Sequence, residues 1–285
     1  MTNANINDSL VSVQWLAENL NAENLVILDA SMPPVTAVDS DKKHEKPVYI
    51  PGARRFDFDT EIRDKTSHLP HMMPSPKMFT KEAQKLGVST DSAIVVYDRV
   101  GIYSSPRAWW MFRAMGHSQV AVLDGGLPAW IKAGYETVQK LAKLPKIHGD
   151  FVSQPQDELF SDAADVFIAL HDRNFVVMDA RSEGRFKGVE PEPRAGLRPG
   201  HMPNAINIPF TSVLEDGRLA SKTKLRSIFD KYKDKKMIFS CGSGVTASIL
   251  ALAAEQAEYK NLSVYDGSWS EWGLPSLELP VVTED

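Results

Sequence analysis

Only one of the 285 residues is a cysteine, Cys241. No disulfide can form within the chain, so stability must come from packing, and no second thiol can resolve whatever forms on the first. The sequence also lacks any lysine or arginine run and has a net charge of -5, which argues against a nucleic-acid or anionic-membrane surface. No apolar run approaches bilayer length, and the opening Met-Thr-Asn-Ala-Asn-Ile-Asn-Asp has neither the basic nor the apolar stretch of a secretion signal. A cytoplasmic protein is expected, with its thiol in a reducing compartment. One cysteine and 7 scattered histidines show no zinc-ligand spacing, so neither a metal nor an organic cofactor is expected. Two catalytic patterns are missing as well. A cysteine phosphatase needs an arginine six residues after its cysteine, where this chain has Ala247, and Ser243 lacks the Gly-x-Ser-x-Gly turn of a serine hydrolase.

What is present is globular: 43% hydrophobic and 24% charged residues, in a length that suits two domains. The most informative stretch is Lys236-Met-Ile-Phe-Ser-Cys241-Gly-Ser-Gly-Val-Thr246. Met237 to Phe239 reads as a buried strand and Val245 to Glu255 as a helix, which puts Cys241 at a strand-to-helix turn. The amides and dipole at a helix start favour a negatively charged sulfur. Gly242 and Gly244 would let the backbone curl around it, while Ser243 and Thr246 add hydroxyls without charge.

Read in order, Val11 to Leu20 has helical apolar spacing, and Leu25 to Leu28, ending in Asp29, reads as a strand. Residues 31–50 form a polar loop. After Phe56-Asp57-Phe58-Asp59 comes an irregular stretch from Arg63 to Pro74 containing His68 and His71, too long and polar to be packing alone. Ser75-Pro76 and Ser105-Pro106 each read as a helix cap followed by proline, with helices running to Gly87 and Gly116. Ala93 to Tyr97 and Val120 to Leu123 are further strands, and Asp124-Gly125-Gly126 turns into a helix ending at Gly134. Alternating strands and helices on short turns imply an α/β fold with a parallel, helix-covered sheet.

The same order returns from about residue 160. Phe175 to Asp179 answers Leu25 to Asp29, Met237 to Ser240 answers Ile94 to Tyr97, and Val264-Tyr-Asp266-Gly267 answers Val122-Leu-Asp124-Gly125. Cys241 falls opposite Asp98. The steps from Asp98 to Asp124 and from Cys241 to Asp266 are 26 and 25 residues, so the register holds across a tandem duplication. Its parts are a first domain over 1–140, a linker over 141–158 rich in proline and lysine, and a second domain over 159–285 carrying Cys241. A carboxylate at Asp98 cannot carry sulfur as a thiolate can, so the first loop is expected to be inert in that chemistry and to serve a structural role.

Cys241-Gly-Ser-Gly-Val-Thr246, Gly184-Arg185-Phe186, Glu190-Pro-Glu-Pro-Arg194, Gly200-His-Met-Pro203 and Pro106-Arg-Ala-Trp-Trp-Met-Phe-Arg113, set in this repeat, resemble the two-domain rhodanese-like sulfurtransferases, in particular their 3-mercaptopyruvate branch. The resemblance runs from about Leu10 to Trp272. It implies two tandem rhodanese-like domains, each a parallel sheet flanked by helices on both faces, in which Cys241 carries sulfur as a persulfide. By the same resemblance Arg185 and Arg194 hold the donor's carboxylate and carbonyl oxygens, and Gly242, Gly244, Val245 and Thr246 line the sulfur-binding loop. Ser243, His71 and Asp59 would form a proton relay.

The residues support these roles on their own to different degrees. Arginine's planar fork suits the carboxylate of a 2-oxo acid, and Arg185 and Arg194 follow a strand, at the end of a parallel sheet where ligands bind. By itself a lone loop histidine such as His71 is more often a hydrogen-bonded structural group than a base, and Asp59 reads as a helix or turn cap. Arg54-Arg55, a departure from the family pattern, is expected at the surface. The implied reaction takes sulfur from 3-mercaptopyruvate, releases pyruvate, and passes the sulfur to thioredoxin, a small thiol or cyanide. Thiosulfate is the rival donor, ranked second because the loop from Gly242 to Thr246 has no basic residue. The non-enzymatic alternative is a sulfur-carrying or redox-sensing module.

Overall fold

The computed structural model describes residues 3–34 and 46–284. The middle of the expected loop over 31–50 lies outside the described residues. Two compact units are resolved, the first formed by Met1–Arg63, Pro74–Pro155 and Asp216–Arg218, the second by Asp64–Met73, Gln156–Glu215 and Leu219–Asp285.

In the first unit, strands β1 (Leu10–Val11), β2 (Leu25–Asp29), β3 (Arg54–Arg55), β4 (Ala93–Tyr97) and β5 (Val120–Leu123) form one sheet in the order β1-β5-β4-β2-β3. All pairs are parallel. Helices α1 (Val13–Asn19), α2 (Pro76–Lys85), α3 (Ser105–Ala114) and α4 (Gly126–Lys132) connect them. Every residue of β4 is buried, which explains its unbroken apolar run: a central parallel strand has no solvent face.

Two helix starts differ from the expected ones. Leu10–Val11 is a strand, because Ser12 caps α1 by accepting the Trp15 amide and so ends the extended segment before it. Ser75 caps α2 in the expected way, with Pro76 at its first position. Ser105, by contrast, is already inside α3, and its hydroxyl donates to Asp98. Arg54 and Arg55, expected at the surface, are only partly exposed: Arg54 donates to the Leu86 carbonyl and Arg55 pairs with Asp29 at 3.4 Å.

Of the segment over 141–158, expected to join the halves, residues 141–155 fall in the first unit and are bonded along it. Ala142 donates to Ala53, Gly149 to Gln84, Phe151 to Val88 and Gln154 to Met115. The Phe151 ring packs edge-on against Phe79 and His117, so a segment that lacks periodicity is held by backbone bonds and one aromatic anchor.

The second unit repeats the topology. Strands β6 (Phe160–Ser161), β7 (Phe175–Asp179), β8 (Ile206–Asn207), β11 (Lys236–Ser240) and β12 (Leu262–Tyr265) pair in the order β6-β12-β11-β7-β8, again all parallel. Its helices are α5 (Ala163–Ala169), α6 (Glu183–Lys187), α7 (Lys222–Phe229), α8 (Ala247–Gln256) and α9 (Ser268–Trp272), and β9 (Leu214–Glu215) with β10 (Arg218–Leu219) makes a small hairpin. Tyr265, Trp269 and Trp272 join Val177 and Ile238 in its core. Two strands, β4 and β11, occupy equivalent central places in their sheets, and Asp98 and Cys241 follow them directly.

Candidate active site

Chain register brings the second unit's polar groups to one level. Ser240, the last residue of β11, pairs with Asp179, the last residue of β7, so the segments starting at Cys241 and at Ala180 leave the same edge of the sheet side by side. Ligands bind at this carboxyl end in open parallel sheets. Cys241 is buried, 2% exposed, and five residues of loop lead from it to α8, which starts at Ala247 rather than at the expected Val245.

That loop is tied down by Ser268. Its hydroxyl accepts the amides of Cys241 and Gly244, both at 3.1 Å, and donates to the Tyr265 carbonyl at 2.8 Å. Ser268 takes φ 49 to do so, a left-handed conformation that costs roughly 1–2 kcal/mol for a residue with a side chain. Further bonds run from the amides of Trp269 and Ser270 to the carbonyls of Cys241 and Gly242. Of the two loop glycines, Gly244 alone has a positive φ, 75°. Gly242 serves a different need, since a side-chain carbon there would lie 3.3 Å from Arg185 Nη2 and 3.5 Å from Arg194 Nη1. Both guanidiniums therefore converge over the residue next to the thiol. Val245 is buried and Thr246, partly buried, immediately precedes α8.

The equivalent loop of the first unit wraps a carboxylate. The Asp98 carboxylate accepts five backbone amides, from Val100 and Gly101 on one oxygen and from Tyr103, Ser104 and Ser105 on the other, all between 2.9 and 3.0 Å. The Ser105 hydroxyl adds a sixth bond at 2.7 Å. A ring of converging amides is a site for an anion, and in the repeat Cys241 stands where Asp98 does.

Ser243 is buried and engaged twice. Arg194 Nη2 donates to its oxygen at 3.2 Å, and His71 Nδ1 lies 2.9 Å from the same oxygen. Guanidinium has only hydrogens to offer, so Ser243 accepts from Arg194. His71 itself is 3% exposed with φ 61. The segment carrying it is fixed next door, where Asp266 accepts the Met73 amide at 2.8 Å. His71, expected in a loop of the first domain, thus belongs to the unit that holds Cys241. Asp59 lies in the first unit, exposed, with its amide bonded to Asp57.

Arg185 is presented by α6, which Ser182 caps by accepting the Arg185 amide and which Gly188 ends at φ 83. Its guanidinium grips Glu192 with Nε at 3.2 Å and Nη2 at 2.6 Å. Glu192 also accepts from Arg181, which pairs in turn with Asp179 and lies 4.1 Å over the Trp269 ring. Burial works against the charge on Arg181, but Asp179 and then Glu192 more than offset it, holding its guanidinium above the ordinary arginine value. Sequence reasoning missed Asp179, Arg181, Ser268 and Asp266 as site residues, and gave Glu192 no role although it sits within the Glu-Pro-Glu-Pro-Arg run. A strand ending in an acid two residues before an arginine was the one available signal.

Two segments of the chain, residues 12–133 and 163–274, match the family model described as Rhodanese-like domain. The chain is 38% identical over 275 residues to a 3-mercaptopyruvate sulfurtransferase of Escherichia coli (strain K12), spanning 95% of this chain and 96% of that protein. It is 39% identical over 287 residues to the Homo sapiens protein of the same name, spanning 97% and 95%. Among solved structures it resembles the crystal structure of an Escherichia coli 3-mercaptopyruvate sulfotransferase, with a TM-score of 0.79 and 36% identity, covering 93% of this chain and all of that one.

Proposed function

The chain belongs to the family built from rhodanese-like domains and is a sulfurtransferase, and from that premise we propose that Cys241 takes sulfur from 3-mercaptopyruvate and passes it to a thiol. The observation that carries this reading is the convergence of Arg185 and Arg194 over Gly242, one residue from the thiol. A 2-oxo acid presents a carboxylate and a keto oxygen side by side, and two guanidiniums suit that pair.

In the proposed step the Cys241 thiolate attacks the donor's sulfur. A sulfur–sulfur bond forms, the carbon–sulfur bond breaks, and its electron pair passes into the enolate of pyruvate. Arg185 and Arg194 stabilise the charge that develops on the enolate oxygen. Ser243 and His71 move the donor's thiol proton and protonate the leaving carbon. The part given to Asp59 in that relay rests on the family resemblance alone. In the second half-reaction an acceptor thiolate, thioredoxin or a small thiol, attacks the outer sulfur and leaves Cys241 as the thiolate. The single cysteine makes an external acceptor necessary.

Intact-mass measurement tests the reading. Adding 3-mercaptopyruvate should add the mass of one sulfur atom, which a thiol then removes and which Cys241→Ser never acquires. Absence of the adduct in the unsubstituted protein, or a higher kcat/KM for thiosulfate than for 3-mercaptopyruvate, would overturn it.

A further inference from the structure

We infer that Glu192 is a positioning residue for the sulfur donor, holding the Arg185 guanidinium in the plane that receives a carboxylate; the inference rests on the 2-oxo acid reading given above. Glu192 is 3% exposed at its side chain, Arg185 16% and Arg181 not at all. Glu192 uses one oxygen on Arg181 Nη1 at 2.8 Å and on Arg185 Nε at 3.2 Å, and the other on Arg185 Nη2 at 2.6 Å. A two-point grip on one edge of a guanidinium fixes its plane as a single bond does not. Pro191 and Pro193 flank Glu192 and restrict the backbone on either side of it. The carboxylate cannot drift, because Arg181 is itself locked by two oxygens of Asp179 and by the Gly200 carbonyl.

Charge points the same way. Asp179 and Glu192 bond two guanidiniums, with Arg181 matched by Asp179 and Glu192 shared by Arg181 and Arg185, while Arg194 bonds the Ser243 hydroxyl. Without Glu192 the Arg185 and Arg194 guanidiniums would repel one another over Gly242, and the long Arg185 side chain would turn towards solvent.

The test is a double-mutant cycle on the full chain, read as KM and kcat for 3-mercaptopyruvate. Glu192→Gln should raise KM by about 10-fold, because the donor's carboxylate is held less well, and should also lower kcat, because Arg185 faces the enolate oxygen in the proposed step. In an Arg185→Ala background the same substitution should add less than about 2-fold, because its effect travels through that arginine. An unchanged KM in Glu192→Gln, or a full additional loss in the Arg185→Ala background, would overturn the inference. Should the glutamine variant fail to fold, Glu192→Asp carries the same cycle: it keeps the charge beside Arg181 but is too short to grip Arg185 at two points. Failure of the donor reading is separate, since it would appear in the unsubstituted protein as no sulfur adduct.

Discussion

His71 Nδ1 lies 2.9 Å from Ser243 Oγ although 172 positions separate the two residues. Both side chains are buried, and His71 adopts a left-handed backbone that only a well-determined surrounding sustains. Since Arg194 also donates to Ser243, the three groups act as one chain of hydrogen bonds. His71→Ala and Ser243→Ala should each lower kcat/KM for 3-mercaptopyruvate by roughly 100-fold or more. The double variant should lose little beyond either single one, measured by steady-state kinetics; additive losses would show that the two groups work independently.

The two loop glycines separate stability from donor binding. Gly244→Ala places a side chain at φ 75 and should cost about 1–2 kcal/mol of stability, with a fall in kcat as the loop shifts. Gly242→Ala adds a carbon at 3.3 Å from Arg185 Nη2 and 3.5 Å from Arg194 Nη1. Its expected effect is a raised KM with the melting temperature nearly unchanged, which thermal unfolding alongside kinetics would establish.

Asp98 should matter for the first unit's folding rather than for chemistry. Asp98→Ala strands five amides, four of them in buried residues, and a hydroxyl, a loss on the order of several kcal/mol at about 1–3 kcal/mol for a buried donor left unsatisfied. Urea unfolding followed by two probes should show an early transition absent from the unsubstituted protein. A single unshifted transition would contradict this account.

Acid should weaken the first unit through His117. Burial holds its imidazole below the ordinary value of 6.5, against the pull of the Ser92 carbonyl, to which Nε2 donates at 2.8 Å. The unfolded chain therefore binds this proton first, so the contribution is intact above the unfolded value and is lost as pH falls below it towards the folded value. Melting temperature should drop between about pH 7 and pH 5, and His117→Gln, which keeps a donor for Ser92, should flatten that part of the profile.

Much of the fold was legible because buried parallel strands are written as short apolar runs. Leu25–Asp29, Ala93–Tyr97 and Phe175–Asp179 appear where the runs are, and the Ser75 cap of α2 marks a real start. The segment from 141 to 155 was not legible in this way. Its bonds to Ala53, Gln84, Val88 and Met115 are backbone contacts that leave no periodicity in the side chains.

By itself the sequence determined a duplicated α/β chain with one thiol at the end of a central strand, opposite an aspartate. Local rules suffice for these, since propensity, capping and repeat spacing act over a few residues. Only the tertiary structure decided that His71 meets Ser243, that Asp98 fills its own cradle of amides, and that Asp179, Arg181 and Glu192 stand behind Arg185. Those are relations of direction between side chains carried by separate strands and loops, and direction at the edge of a sheet is set by packing and register, which no linear spacing records.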